Sequence, residues 1–295
     1  MIEIVNCPVC NSTHIKKYLT TKDYFFTQES FGLSQCTNCT FIFTNPVPAM
    51  EDIGRYYETD KYLSHNSSQK GIISYIYNKV RDINLGNKYK ILKAFKTKGS
   101  ILDIGCGTGE LLSYLQKKSW TTKGVEPNEN ARLIAEKDFG LDIMSEIDLN
   151  NYYDSKFDII SMWHVLEHVY DLNSRLKRVH ELLKDDGIAV IAIPMIDSPD
   201  ALKFKKYWAG LDVPRHLHHF SSYTLELLAN SNMFNVVEKF PMKFDSLYVS
   251  WLSHQAKGSS LAFAKGVIDG LVSNVKANSK TNYSSMIFVL NKKNN

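Results

Sequence analysis

The chain has 295 residues, 44% of them hydrophobic, and a formal net charge of +4. That supports one large domain with a small appendage and excludes disorder on a large scale. No apolar run reaches eighteen residues, and Met1 to Asn6 has neither the basic region nor the apolar core of a secretion signal, so the expected setting is the cytoplasm without stable membrane insertion.

Four of the five cysteines form two hooks, Cys7-x-x-Cys10 and Cys36-x-x-Cys39, separated by twenty-five residues. Each hook presents two thiolates to one tetrahedral Zn²⁺, and the intervening chain suits a small β-ribbon. A disulfide is the weaker reading in a chain without a secretion signal, and a redox pair belongs beside a βαβ pattern. So small a segment otherwise lacks a core, so Cys7, Cys10, Cys36 and Cys39 are the expected ligands of a structural zinc in a zinc-ribbon-like domain over residues 1–46.

Phe41 to Thr44 reads as a strand closed by Pro46 and Pro48, which puts the boundary at residue 46. Beyond it, Tyr56 to His65 is rich in aromatics, and Ile73, Ile76, Tyr77 and Val80 recur at helical spacing. Residues 47–98 are expected to be linker and lid helices over the pocket of the following domain, with Tyr62 and His65 as candidate pocket residues; packing alone explains the aromatics equally well.

Ile101 to Ile104 is a short apolar run containing Asp103, and it enters three glycines at alternate positions, Gly105, Gly107 and Gly109. Without Cβ atoms these can take strained turn dihedrals and let a ligand reach main-chain N–H groups at the next helix's N-terminus. A dinucleotide loop requires Gly-x-Gly-x-x-Gly, but Glu110 holds the last position and Asp103 precedes the first glycine. A pyrophosphate would meet an acid there, so the loop suits a cationic or zwitterionic ligand. Glu126, about twenty residues on at the end of a second strand, can accept both hydroxyls of a ribose.

Asp103-x-Gly105-x-Gly107-x-Gly109 resembles the first motif of the class I S-adenosylmethionine-dependent methyltransferases. The resemblance implies a seven-stranded, mostly parallel, doubly wound α/β sheet of Rossmann-like type over residues 99–295. It also implies S-adenosylmethionine as cofactor, with its methionine half in the glycine loop and its ribose on Glu126. Asp103, Gly105, Cys106, Gly107, Gly109, Glu126, Pro127 and Trp163 are then cofactor-binding, and Asp148 stands where the family often contacts adenine, with a solvated acid as the even alternative.

The remaining strands are expected at Leu141 to Met144, Phe157 to Met162, Ile188 to Ile193, Val236 to Phe240 and Met286 to Leu290, with ligands outside their carboxyl ends. The Lys184-Asp185-Asp186-Gly187 turn resembles the family's turn before the fifth strand. Two cap insertions are expected, over residues 196–222 and 245–283. In the second, Leu261, Ala264, Ile268, Leu271, Val272 and Val275 form an apolar helical stripe that usually packs down as a cap; a membrane-surface helix is the minority reading because Asp269 interrupts it.

Methyl transfer from a sulfonium needs the acceptor aligned with the methyl carbon and, for a hydroxyl or an acidic carbon, a base. Two histidine clusters qualify. If a helix begins at His164, then His164 and His168 share a face with Glu167 beside them. That stretch resembles the Glu-x-x-Glu-His stretch of the Mg²⁺-dependent ubiquinone-biosynthesis and small-RNA 2′-O-methyltransferases, with His164 in place of the first glutamate. A second divalent metal at His164, Glu167 and His168 is therefore one reading, with imidazoles favouring Zn²⁺ or Fe²⁺; a direct histidine base and structural hydrogen bonding are the others. In the second cluster Asp212 and Arg215 could fix a polar acceptor while His216 or His219 takes the proton. Against this, Ser221 to Thr224 reads as a helix start that makes the segment a scaffold loop.

With Val165-Leu166-Glu167-His168-Val169 and Pro214-Arg215-His216-x-x-His219-Phe220, the chain resembles bacterial zinc-ribbon-headed methyltransferases of the group that includes small-molecule and sugar-methylating enzymes. That implies O- or C-methylation of a small or carrier-linked acceptor. Net charge is 0 over residues 1–46, +5 over 47–98, −6 over 99–195 and +5 over 196–295, so the basic segments around an acidic core favour an anionic acceptor carrying phosphate or carboxylate, although ordinary solvated lysines account for the charge as well. An RNA methyltransferase is one alternative, but the balanced ribbon lacks its basic footprint, and nothing points to DNA. A non-catalytic S-adenosylmethionine-binding interaction protein is the other.

Overall fold

The computed structural model describes residues 1–57, 72–152, 156–277 and 282–293, with side chains in the first helix described from residue 82. Tyr62 and His65 lie outside the described residues. Strands β1 (Ile15–Lys22), β2 (Ser30–Cys36) and β3 (Ile42–Thr44) form an antiparallel meander behind the first cysteine hook. Helix α1 (Ile72–Phe95) follows and contains the expected helical residues; among its described side chains Leu85, Tyr89 and Leu92 meet the core at spacings of four and three.

Next come β4 (Ser100–Ile104), α2 (Glu110–Gln116), β5 (Thr121–Val125), α3 (Glu129–Phe139), β6 (Ile143–Met144), α4 (Glu146–Asn150), β7 (Phe157–Trp163), α5 (Leu172–Leu182) and β8 (Leu183–Pro194). Then follow α6 (Pro199–Phe204), β9 (His218–His219), α7 (Ser222–Ser231), β10 (Phe234–Pro241), α8 (Asp245–Ala256), α9 (Ala262–Lys276) and β11 (Ser285–Lys292). The large sheet has seven strands in the order β10-β11-β8-β7-β4-β5-β6, parallel except where β11 runs against both β8 and β10. This is the seven-stranded, mostly parallel class I architecture. Ile101 to Ile104 and Ile188 to Ile193 are buried because helices cover both faces, which explains runs without alternation. Strand β4 pairs with β5 on one side and β7 on the other, so the crossovers diverge at its carboxyl end and open a crevice.

Three details depart from the sequence reading. Lys184 to Gly187 is no free turn: it bulges within β8, where Phe157 pairs with Leu183 and Ile159 with Ile188. Lys184 there pairs with Asp158 at 3.0 Å. The ribbon meander gains a fourth strand from the second histidine cluster, β9, giving a sheet β1-β2-β3-β9. Cys7, Cys36, Cys39, Phe41 and Phe43 accordingly share one hydrophobic core with Leu102 and Ile104.

The third departure is the apolar stripe. It does not pack down: Leu261, Ile268, Leu271, Val272 and Val275 are exposed, Val275 by 86%. Helix α9 meets α8 through its small residues instead. A Cβ on Gly266 would lie 2.3 Å from the Trp251 Cα, and one on Gly270 2.6 Å from the Leu247 Cα, so only glycine lets the two backbones approach.

Candidate active site

The crevice at the end of β4 holds a cavity of about 770 Å³, within the range of small-molecule sites. Its floor is Asp103, Gly105, Cys106 and Gly107; α1 contributes Lys88, β7 ends in Trp163 with His164 just beyond it, and the start of α8 adds Asp245. The glycines divide the work. All three have positive φ, but a Cβ on Gly105 would strike Val165 at 2.4 Å and one on Gly109 would strike Leu141 at 2.3 Å, whereas Gly107 faces open space. Two of the glycines therefore answer to packing and one to access, where the sequence suggested access for all.

Asp103 is 3% exposed, and the Ser161 hydroxyl donates to its Oδ1 at 2.6 Å. Burial, with the nearby charge of Glu126, pushes its carboxyl up to about 6 against the opposing pull of Ser161 and Lys88. Glu126 caps the glycine loop: the Gly107 N–H donates to Oε2 and the Asn128 N–H to Oε1, both at 2.9 Å. Each oxygen keeps a lone pair for a further donor. Pro127 is exposed beside it, and its carbonyl accepts from Arg132. The Cys106 thiol lines the cavity and is pushed up by burial. Asp148 is exposed and serves α4, accepting from the Ser145 N–H and hydroxyl in a capping box.

The two histidine clusters meet, but not as the sequence suggested. No α-helix begins at His164, which has φ +57; a single 3₁₀ turn spans Leu166–His168. His164 points its Nδ1 at Glu167 Oε1 and its Nε2 at Asp245 Oδ2, both at 3.3 Å. Burial opposes its charge, but the hydrogen bonds to Asp245 and Glu167 outweigh that and raise its pKa to about 10. His168 turns away, its Nδ1 donating to the Arg215 carbonyl at 2.9 Å with the Tyr57 hydroxyl 3.0 Å away. The His216 Nδ1 donates likewise to the Gly210 carbonyl at 2.9 Å.

Glu167, His168 and His216 therefore form the second group able to hold a metal, their ligand atoms all within 4.8 Å of one another. His164, expected in that set, is replaced by His216. Glu167 is fully buried, and among the described residues its Oε2 has no hydrogen-bond partner. Burial, with the neighbouring His216 charge, holds the His168 pKa down to about 4. The first group is the expected one: Cys7, Cys10, Cys36 and Cys39, with Sγ separations of 3.5 Å for Cys7–Cys39 and 3.6 Å for Cys10–Cys36. Those spacings exceed a disulfide and fit the edges of a tetrahedral thiolate site.

The other candidates serve the junction of ribbon and loop. Arg215 is 2% exposed, with Nη2 3.1 Å from Asp23 and 2.6 Å from Asp212, its Nη1 on the Tyr56 carbonyl and its guanidinium over Phe26. No face is left for an acceptor. His219 Nε2 meets Thr44 at 3.2 Å, and His218 Nε2 meets the Val169 carbonyl at 2.8 Å. The Ser221 helix start forms as expected, with a capping box to Thr224. Lys88 and Asp245 were not singled out in the sequence; Lys88 was visible as the charge interrupting the Leu85, Tyr89, Leu92 face.

A sequence profile described as "methyltransferase domain" matches residues 81–239, more than half of the chain. The chain belongs to that family. The methyltransferase is 35% identical over 101 residues to a ubiquinone biosynthesis O-methyltransferase of Bradyrhizobium diazoefficiens, covering 31% of this chain and 38% of the relative. It is 32% identical over 115 residues to a demethylmenaquinone methyltransferase of Lactobacillus johnsonii, covering 35% and 47%. The chain spans less than half the length of these curated relatives. Among solved structures it is similar to the 1,6-didemethyltoxoflavin-N1-methyltransferase of Burkholderia thailandensis, with TM-score 0.52 and 15% identity over 95% of this chain and 100% of the other. It is also similar to the magnesium protoporphyrin IX methyltransferase of Synechocystis, with TM-score 0.52 and 13% identity over 83% and 100%. These structures establish the fold of the methyltransferase. Among the described residues no helix is long and apolar enough to cross a membrane.

Proposed function

We propose that the chain is an S-adenosylmethionine-dependent methyltransferase acting on a small or carrier-linked acceptor, with the ribbon and the histidine loop forming the acceptor side of the site. Bound S-adenosylmethionine would supply an electrophilic methyl group for in-line displacement. The residues present fit it: Gly107 offers backbone without a Cβ, Asp103 offers an anion for an ammonium group, and Glu126 keeps lone pairs for ribose hydroxyls. The Gly105 and Gly109 contacts keep the loop in the shape that presents those groups.

His164 keeps its proton between two carboxylates at neutral pH, so it orients Glu167 and Asp245 and takes no proton from an acceptor. His168 and His216 have their Nδ1 atoms held by carbonyls, which leaves Nε2 as the atom each would offer to a metal, the His216 Nε2 lying 3.9 Å from Asp212. The observation that carries the reading is the orphaned Glu167 Oε2 beside these two imidazoles. Two imidazoles and a carboxylate suit a divalent transition metal, which would lower the pKa of a coordinated hydroxyl. Fixed imidazole tautomers are what such ligation requires. Relatives named for O-methylation support oxygen as the methylated atom. The neutral ribbon favours a small acceptor over RNA.

Metal analysis of the purified chain tests this, with two equivalents expected, one on the cysteines and one on Glu167, His168 and His216. His216→Ala should lose the second equivalent and turnover while keeping affinity for S-adenosylhomocysteine. Full turnover by that variant, or wild-type protein that binds no S-adenosylhomocysteine, would sink the proposal.

A further inference from the structure

We propose that the outward face of the α8–α9 hairpin docks on an anionic lipid bilayer, as a reversible surface contact beside the opening of the cavity. Two observations carry it: an apolar stripe that the fold leaves uncovered, and lysines along it that have no acids to pair with.

The stripe faces solvent because of how α9 packs. Gly266, Gly270 and Ser273 are buried and form the side that meets α8. Ile268, Leu271 and Val275 recur at spacings of three and four on the opposite side and are 53% to 86% exposed. Phe263 on α9 and Tyr248 on α8 add exposed rings at one edge, both in contact with Trp251. At fifteen residues α9 is too short to cross a bilayer, so a lipid contact runs along the surface.

Charge selects the occupant. From residue 246 to residue 283 the sequence holds four lysines and a single acid, Asp269. That acid counts against a membrane-surface helix only while its charge is free. In the structure its side chain is largely buried, with Lys203 Nζ 2.5 Å from Oδ1 and His254 Nε2 2.8 Å from Oδ2. Lys257, Lys265 and Lys276 are exposed, and among the described residues none of the three has an ion-pair partner. An apolar strip bordered by unpaired lysines matches acyl chains beneath anionic headgroups. A second copy of the same face would bring more lysines and no free acid.

The place in the fold agrees. The Asn274 side-chain amide donates to the Lys243 carbonyl at 2.9 Å, and Lys243 and Phe244 line the cavity. Leu271 and Val275, on the same stretch of α9, therefore lie close to the cavity's lip, and Phe244 itself is exposed there.

Flotation of the full, metal-replete chain with vesicles tests this, using phosphatidylcholine alone and phosphatidylcholine mixed with phosphatidylglycerol. The wild type is expected to bind the mixed vesicles about ten-fold or more tightly than the neutral ones, with the difference lost at high salt. Ile268→Glu combined with Val275→Glu should abolish binding, and Lys265→Glu combined with Lys276→Glu should weaken it by about ten-fold or more. All four positions are exposed, so the thermal midpoint should stay that of wild type, which separates lost docking from lost folding. Wild-type protein that binds neither vesicle overturns the proposal whatever the variants do. Equal binding to both vesicles overturns it as well, by leaving the lysines without a role, as does full binding by the Ile268→Glu, Val275→Glu protein. A wild-type dimer in sedimentation equilibrium that Val275→Glu dissociates, without vesicle binding, would give the face to a second copy instead.

Discussion

The Thr44 hydroxyl donates to the main-chain carbonyl of His216 at 2.7 Å. Its one proton is thereby used, so its contact with His219 Nε2 at 3.2 Å must be an acceptance, which fixes His219 with the proton on Nε2. The same strands pair there, Ile42 with His219 and Phe43 with His218. The zinc-ribbon-like sheet and the histidine loop are therefore one structural unit, and the ribbon sets where His216 stands.

Thr44→Val tests that unit, because valine keeps the shape and removes both hydrogen bonds. Thr44 is fully buried, so the His216 carbonyl and the His219 N–H are left without a partner in a dry site. The expected cost is about 1–3 kcal/mol in urea unfolding, with turnover reduced and S-adenosylhomocysteine affinity unchanged. Wild-type stability in the variant would show that the bond contributes nothing.

Metal removal should act through the same connection. Four thiolates around Zn²⁺ at about 2.3 Å have edges near 3.8 Å, close to the Sγ separations observed here. Cys10→Ser is expected to lose one metal equivalent and to lower the thermal midpoint by several degrees, and turnover should fall with it because β9 depends on β3. The cofactor cavity lies across the sheet from the ribbon's cysteines, so affinity for S-adenosylhomocysteine should persist in the folded fraction. A midpoint equal to wild type would rule out a structural metal.

Asp103 gives a pH signature. Its folded-state pKa of about 6 lies above the ordinary 3.8, so the folded ligand-free protein holds this proton more tightly than the unfolded chain. The stability this contributes is complete below pH 4 and is lost as pH rises through 6, a difference of about 3 kcal/mol. Asp103→Asn should therefore match wild type at pH 4 and exceed its stability at pH 8. Binding runs the other way, since an ammonium group favours the ionised carboxylate: wild-type affinity for S-adenosylhomocysteine should rise from pH 5 to pH 7, and the Asn variant should lack that rise. A flat wild-type profile would separate Asp103 from the ligand's charge.

The sequence carried the parts of the fold whose cause is local. Cys7, Cys10, Cys36 and Cys39 are legible because a tetrahedral site constrains spacing, and Gly105 to Gly109 because a tight turn constrains backbone. What escaped depended on partners far along the chain. Arg215 looks like an anion clamp until Asp23, 192 residues earlier, takes one side of its guanidinium. His164 looks like a metal ligand until Asp245, from an insertion helix, takes its Nε2. Leu261 and Val275 look like a packing face because apolar periodicity does not say which side of a helix its neighbour chooses, and Gly266 and Gly270 chose the other. Asp148 fitted both an adenine contact and a solvated acid, and the structure gives its exposed carboxylate to Ser145 as part of a helix cap that neither reading contained.

Arg215 supplies the last prediction, because its role as anchor or as anion clamp has opposite consequences. The guanidinium is buried between Asp23 and Asp212; burial alone would disfavour its charge, yet the hydrogen bonds it donates to Asp212 and Asp23 hold its pKa above the usual value. Asp212 in turn is held below the usual carboxylate range, against its own burial, by the Arg215 donors. Such a network need not stabilise more than an apolar core would, but removing one member strands a buried charge. Arg215→Ala is therefore expected to destabilise the fold by about 3–5 kcal/mol by leaving Asp23 unpaired, and Arg215→Lys to recover only part of that because an ammonium cannot serve two carboxylates and the Tyr56 carbonyl in one plane. The double variant Asp23→Asn with Arg215→Met removes charge on both sides and should regain stability relative to Arg215→Ala. Urea unfolding of the three variants decides the matter: an Arg215→Ala protein as stable as wild type, with only its acceptor KM raised, would return this residue to the substrate.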